Sequence, residues 1–132
     1  MLNEMEELWG IKPDKWSVTY AIKACKGHGE TEYAEYLLDQ MEEMWDITPD
    51  IYVYNHTIEA FSQFGDYIES HKLLINMEEL GIHPNIYSLN YTIEAHLNAG
   101  DYQGAVELFD DMEKTWKVKP NHHTKALFSN IF

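Results

Sequence analysis

Apolar residues recur along this chain at three- and four-residue spacing, in short blocks separated by Gly or Pro. Tyr54, Ile58 and Phe61 mark one stripe, and Leu73, Leu74 and Met77 mark the next. That period belongs to an α-helix with one buried face, not to a strand. Leu37, Leu38 and Met41, and again Leu108, Phe109 and Met112, repeat the second stripe. The borders of the blocks fit the same reading. Asp14, Asp50, Asn85 and Asn121 each follow a proline and precede an apolar-periodic stretch, which is the chemistry of a helix N-cap. Gly65 is expected to end one helix, and Asp66 with Glu69 offers a capping box for the following one. Gly29-Glu30 and Gly100-Asp101 occupy the matching turns. The pattern predicts helical hairpins.

The hairpins are copies of one another. Ile51 to Asn85 lines up with Ile86 to Asn121, sharing Ile-Tyr, Asn, Thr-Ile-Glu-Ala, Gly-Asp-Tyr, Leu, Met-Glu and a closing Pro-Asn. Lys15 to Asp50 is a more divergent copy that keeps Ile22, Ala24, Gly29, Ala34, Leu37, Met41 and Pro49-Asp50. The expected organisation is therefore a single array: 1–14 the end of a partial repeat, 15–50, 51–85 and 86–121 full repeats, and 122–132 the start of another. One hairpin cannot bury its own apolar face, so copies must stack. The expected fold is all-α, an α-solenoid of stacked helix-turn-helix repeats of 35–36 residues, of either hand.

A unit of about 35 residues with Tyr-Asn early, Gly mid-way, Ala-x-x-Leu, then Met and Gly-Ile-x-Pro-Asp/Asn resembles the pentatricopeptide repeat. The tetratricopeptide opening, Trp-x-x-Leu-Gly-x-x-Tyr, is absent. Two departures stand out. The first and third full units have an extra residue, with Trp45 and Trp116 (Trp9 in the partial unit) expected on an extended helix end. The lysine that family members often carry late in the first helix is missing from two units, where Gln63 and Asn98 stand. The resemblance implies binding of single-stranded RNA in a mitochondrion or plastid, one base per repeat, read by two side chains. Carried onto this sequence, the reader pairs are Thr19 with Asp50, Asn55 with Asn85, and Asn90 with Asn121. By the family's code the first pair implies guanine and the other two imply pyrimidines. Ala126, in the fourth partial unit, offers no hydrogen bond from its side chain.

Helical geometry places Trp16, Thr19 and Lys23 on one face, as it does Tyr52, Asn55, Glu59 and Tyr87, Asn90, Glu94. An aromatic thus precedes every first-helix reader by one turn, which makes Trp16, Tyr52 and Tyr87 candidate stacking platforms, with inter-repeat packing the alternative. Asn is a poor helix former, so its recurrence at an interior helix site asks for a reason. Base contact is one, and a structural hydrogen bond to the neighbouring repeat is the other. For Asp50, Asn85 and Asn121, N-capping alone would select the same residues.

Charge changes the picture next. Nine Lys and Arg against 23 Asp and Glu give a formal charge of −14, which argues against a generic polyanion binder. The acid is uneven: first-helix windows sum to zero, and the second-helix and turn windows hold nearly all of it. The resemblance puts first helices on the concave surface, so the groove is expected to be neutral, with Lys23 and Lys26 as its phosphate contacts. Three readers with so little phosphate neutralisation predict weak RNA binding for this segment alone.

The remaining chemistry is sparse. The lone Cys25 excludes an intramolecular disulfide framework and lies on the apolar side of its helix with Val18 and Ile22. The seven histidines follow no metal-ligand spacing, and no phosphate loop or nucleophile motif is present. No enzyme activity, metal, cofactor, small-molecule substrate or membrane span is expected. The acidic, arginine-free start MLNEMEELWG resembles neither a signal nor a transit peptide. Incomplete repeats at both ends would expose apolar helix faces, so further repeats or a protein partner are expected to cover them. That supports an alternative, a structural protein–protein scaffold subunit of an organellar ribonucleoprotein such as a mitochondrial ribosome.

Overall fold

Seven helices and no strand make up the described residues, which in the computed structural model are 14–25, 31–43 and 45–129. In chain order they are α1 (Lys15–Ala24), α2 (Thr31–Glu43), α3 (Ile51–Ser62), α4 (Tyr67–Glu79), α5 (Ile86–Asn98), α6 (Tyr102–Lys114) and α7 (His122–Ala126). Three antiparallel hairpins, α1/α2, α3/α4 and α5/α6, stack in order. Helices α1, α3 and α5 lie side by side, and each second helix packs on its own first helix; α2 and α4 pack on the next first helix as well. The array is an all-α solenoid, as the periodicity predicts.

The first helices start where the sequence places caps. Asp14 accepts from Ser17 N at 2.8 Å, Asp50 from Val53 N at 3.0 Å, Asn85 from Ser88 N at 3.2 Å, and Asn121 from Thr124 N at 2.9 Å. Each bond satisfies one of the N–H groups that a helix start leaves without a partner. The second helices differ from expectation in one detail. Asp66 accepts from Glu69 N, but Glu69 reaches forward to Lys72 (3.1 Å) and closes no reciprocal box. The reciprocal boxes form at Asn85/Ser88 and Asn121/Thr124.

Behind the caps lies one continuous core. Val18, Ile22, Leu37, Met41, Val53, Ile58, Leu74, Met77, Leu89, Ile93 and Met112 are all fully buried in it. Each contributes about 1.5–3 kcal/mol of transfer free energy, and the cluster runs through all three hairpins. Cys25 is buried among them, its Sγ donating to Ala21 O. Where hairpins two and three meet, a polar chain runs through the packing. His96 Nδ1 donates to Asp101 Oδ2 (2.9 Å), so its Nε2 accepts from His71 Nε2 (2.8 Å), while Tyr67 stacks on the ring. The imidazole of His96 and the Gly104 N–H thereby hold the Asp101 carboxyl below its usual range, and burial beside His96 lowers His71.

The two tryptophans that interrupt the repeat do not lengthen a helix. α2, α4 and α6 span 13 residues each, and Trp45 and Trp116 lie just beyond them in the connections. Trp45 is buried in the core and Trp116 packs against it. The extra residue is absorbed by a wider turn: Ile47 N reaches back to Met41 O and Val118 N to Met112 O, six residues each, where Ile82 N reaches Met77 O, five. That turn needs a left-handed residue. Gly81 supplies it in hairpin two at φ +82°, but Asp46 (φ +53°) and Lys117 (φ +60°) supply it in the others. A side chain there costs about 1–2 kcal/mol, partly offset by glycine's extra entropy in the unfolded chain. Lys117→Gly is therefore expected to stabilise the array by about 0.5–1 kcal/mol in urea unfolding.

Candidate nucleic-acid interface

Side-by-side stacking of α1, α3 and α5 lines up equivalent residues into rows across one face. Trp16, Tyr52 and Tyr87 form the first row, 65%, 67% and 60% exposed. Three rings of this size left in water, one per hairpin, make a stacking surface without sequence preference. Tyr20, one turn after Trp16, is equally exposed and extends the surface on α1; its i+4 spacing from Trp16 is the signal in the sequence that points to it. Its equivalents on α3 and α5 are His56 and Tyr91, both partly covered. Burial and a hydrogen bond to the Glu59 carboxylate push the Tyr91 hydroxyl up to about 12.

The next row is not on the surface. Asn55 is 7% exposed and Asn90 3%, because the following first helix covers each. Asn55 Oδ1 accepts from Ser88 Oγ at 2.5 Å, and its Nδ2 donates to Asn85 Oδ1 at 3.1 Å. Asn90 Oδ1 accepts from Thr124 Oγ1 at 2.6 Å. The structural hydrogen bond to the next hairpin, one of the two readings of these asparagines, is therefore present at both sites. Both asparagine pairs come together, Asn85 beside Asn55, while Asn90 and Asn121 both lie within hydrogen-bond distance of the Thr124 hydroxyl.

What the bonds leave over differs between junctions. Asn85 Oδ1 takes the Tyr87 and Ser88 N–H groups and Asn55 Nδ2, and Asn121 Oδ1 takes the Thr124 N–H. The amide oxygens are engaged, and the groups left over are mostly N–H donors. Asn90 Nδ2 has no partner among the described residues and is not sealed from solvent. The first junction is the reverse. Thr19 Oγ1 gives its only proton to Lys15 O (2.7 Å), and Asp50 is a carboxylate bound by Val53 N and by Lys15 Nζ at 3.0 Å. Burial pushes the Asp50 carboxyl up, but the Val53 N–H and the Lys15 ammonium outweigh it and hold the group below its usual value. Of the Thr19 and Asp50 side chains themselves, only acceptors remain. Val53, which stands where Ser88 and Thr124 stand, has no hydroxyl to offer.

A third row carries the charge. Lys23 is exposed on α1, while Glu59 and Glu94 occupy its place on α3 and α5. Both carboxylates are engaged: His56 Nδ1 and the Tyr91 hydroxyl approach Glu59, and His123 Nε2 lies 3.6 Å from Glu94. Lys15 reaches over the Trp16 ring at 5.4 Å. Lys26 lies outside the described residues. Asn98, at one of the places where family members often carry lysine, donates to Ser62 O at 2.7 Å and ties α5 to the end of α3. Among the described residues no group of three or more His, Cys, Asp or Glu is placed to hold a metal, and no helix is long and apolar enough to cross a membrane.

The pentatricopeptide repeat domain model matches residues 43–96 and 72–125, and the single-repeat model matches 16–45. No match is found among curated proteins. The crystal structure of the pentatricopeptide repeat protein PPR10 from maize superposes with a TM-score of 0.81 at 21% identity, over 94% of this chain and 18% of that one. PPR10 in complex with an 18-nt psaJ RNA element gives 0.79 at 20% identity, over 92% and 18%. This chain thus spans less than a fifth of the length of PPR10, and the likeness is one of fold.

Burial separates the two rows energetically. Asn55→Ala is expected to cost about 1–2 kcal/mol in urea unfolding, because it strips partners from the buried Ser88 and from Asn85. Tyr52→Ala and Tyr87→Ala, on the exposed row, should stay within about 0.5 kcal/mol.

Proposed function

This chain belongs to the pentatricopeptide repeat family, and on that premise we propose that the α1/α3/α5 face binds single-stranded RNA, one base per repeat. The aromatic row supplies stacking, and the junction pairs discriminate. The single observation that carries the reading is the reversal of hydrogen-bond polarity between junctions. Thr19 with Asp50 offers only acceptors, which suits the N1–H and N2 amino group on the Watson–Crick edge of guanine. Asn55 with Asn85, and Asn90 with Asn121, offer mostly donors. Pyrimidines present two acceptors on that edge and purines one, so these pairs favour cytosine or uracil. The reading thus agrees with the code that the resemblance implies, from donors and acceptors alone. Lys23 and Lys26 are the phosphate contacts in this reading. Family membership also supports a place in a mitochondrion or plastid, and no catalytic role.

Magnitude limits the affinity. Stacking contributes about 1–3 kcal/mol per base, and a micromolar complex needs about 8 kcal/mol. With three repeats, and Glu59 and Glu94 in the groove, binding by this chain is expected to be weak and salt-sensitive. Anisotropy of labelled RNAs carrying guanine-pyrimidine-pyrimidine or a scrambled triplet tests this. The expected result is a preference for the matching RNA that Asn55→Ala/Asn90→Ala abolishes. Equal binding of both RNAs, or a nanomolar dissociation constant for the chain alone, would contradict the proposal.

A second reading is favoured by the opposite surface. There Glu35 is raised by burial and by Glu69 and Asp39, and Asp39 by burial and Glu43, and α4 also exposes Ile68 and Ile75. An acidic, partly apolar convex face suits a basic protein in a ribonucleoprotein scaffold. In that case the asparagine row matters for stability alone.

A further inference from the structure

The two hydroxyls that close the asparagine junctions belong to residues with no place in the reader pairs. Ser88 is fully buried at the third position of α5, and Thr124 is fully buried at the equivalent position of α7. A hydroxyl has one proton. At both sites the shortest contact of that hydroxyl runs backward across the junction, to Asn55 Oδ1 at 2.5 Å and to Asn90 Oδ1 at 2.6 Å. Its lone pair accepts from the backbone N–H of the cap, Asn85 or Asn121, at 3.2 Å. The hydroxyl is satisfied in both directions by this arrangement.

The consequence falls on the carboxamide. A primary amide is close to symmetric in shape, and a half-turn about its last torsion exchanges an oxygen for an NH2. Unfixed, Asn55 and Asn90 would offer a base either a donor or an acceptor and would discriminate poorly. With the hydroxyl proton on the oxygen, the NH2 is the group that remains for the groove. At Asn55 the opposite orientation is further disfavoured, because it would set its oxygen against Asn85 Oδ1, now the acceptor of a 3.1 Å bond from Nδ2. The first junction supplies a natural contrast. Its reader is Thr19, whose proton is spent within its own helix, and the residue facing it from α3 is Val53. No hydroxyl stands where no carboxamide needs orienting.

We propose that Ser88 and Thr124 are positioning residues that fix the reading asparagine of the preceding repeat with its NH2 toward the groove, and so set the base preference of that repeat. The proposal rests on the RNA reading above. It places a specificity determinant one repeat downstream of the base it governs, on a side chain that never touches RNA.

The test measures, for the full chain at low salt, relative affinities for RNAs that differ only in the base facing Asn55. The native chain is expected to prefer a pyrimidine. Ser88→Ala, which leaves Asn55 Oδ1 without its donor, should lower the pyrimidine-over-purine ratio about 5- to 10-fold while total affinity changes little. Ser88→Thr should restore the native ratio. Should Ser88→Ala fail to fold, Ser88→Val, which copies the side chain at the first junction, and Thr124→Val, read at the base facing Asn90, carry the same expectation. An unchanged ratio in the folded variants, alongside a native preference, would overturn the positioning role and leave the RNA reading standing. A native chain with no base preference would overturn both.

Discussion

A polar side chain buried between two stacked helices must find its partners there, and that requirement governs this array. Each hairpin covers its apolar face by stacking on the next, and the side-by-side packing of first helices also covers Asn55 and Asn90. An unpartnered buried amide costs about 1–3 kcal/mol, so the junction has to supply hydrogen bonds. It does so with the cap of the next repeat and the hydroxyl three residues beyond it. Cap, hydroxyl and asparagine then form one unit. On the proposed reading, the residues that start a helix also orient the asparagine of the preceding repeat, so stability and recognition share the same bonds.

The electrostatics follow from the same stacking. The face built from α1, α3 and α5 is close to neutral, and the acid lies mainly on second helices and turns. On the groove itself, Glu59 is held by Tyr91, with His56 Nδ1 3.8 Å away, and Glu94 lies near His123. These contacts moderate the carboxylates without removing them. A groove of this kind can gain base stacking and edge contacts, but little from phosphate neutralisation. On the proposed reading, recognition without strong affinity is the property that results, and a longer array would multiply it.

Much of this was legible in the sequence, because it depends on local rules. The 3.6-residue period, the Pro-Asp and Pro-Asn caps and the internal repetition lead to the helices, their starts and their stacking. Trp16, Tyr52 and Tyr87 emerge as an exposed row for the same reason. The burial of Asn55 and Asn90 was less legible. A helical wheel puts them on the polar face, and only the neighbouring helix, absent from any single-helix pattern, turns that face into an interface. Ser88 and Thr124 left a readable trace, a hydroxyl residue three places after each cap, the N3 position of a capping box. The inserted tryptophans misled, since a residue added near a helix end can lengthen the helix or widen the turn. Asp46 and Lys117 in left-handed conformation show that the turn took it.

The most direct test of the account transplants one junction into another. Thr19→Asn with Asp50→Asn gives the first junction the reader pair of the second, and Val53→Ser adds the hydroxyl that it lacks. Base preference at the position facing residue 19 would be measured for the double variant and the triple variant. The account predicts that the double variant loses its guanine preference without gaining a clear substitute, and that the triple variant prefers a pyrimidine. An identical preference in both variants, or guanine retained in either, would contradict the claim that hydrogen bonds across the junction decide what the groove offers.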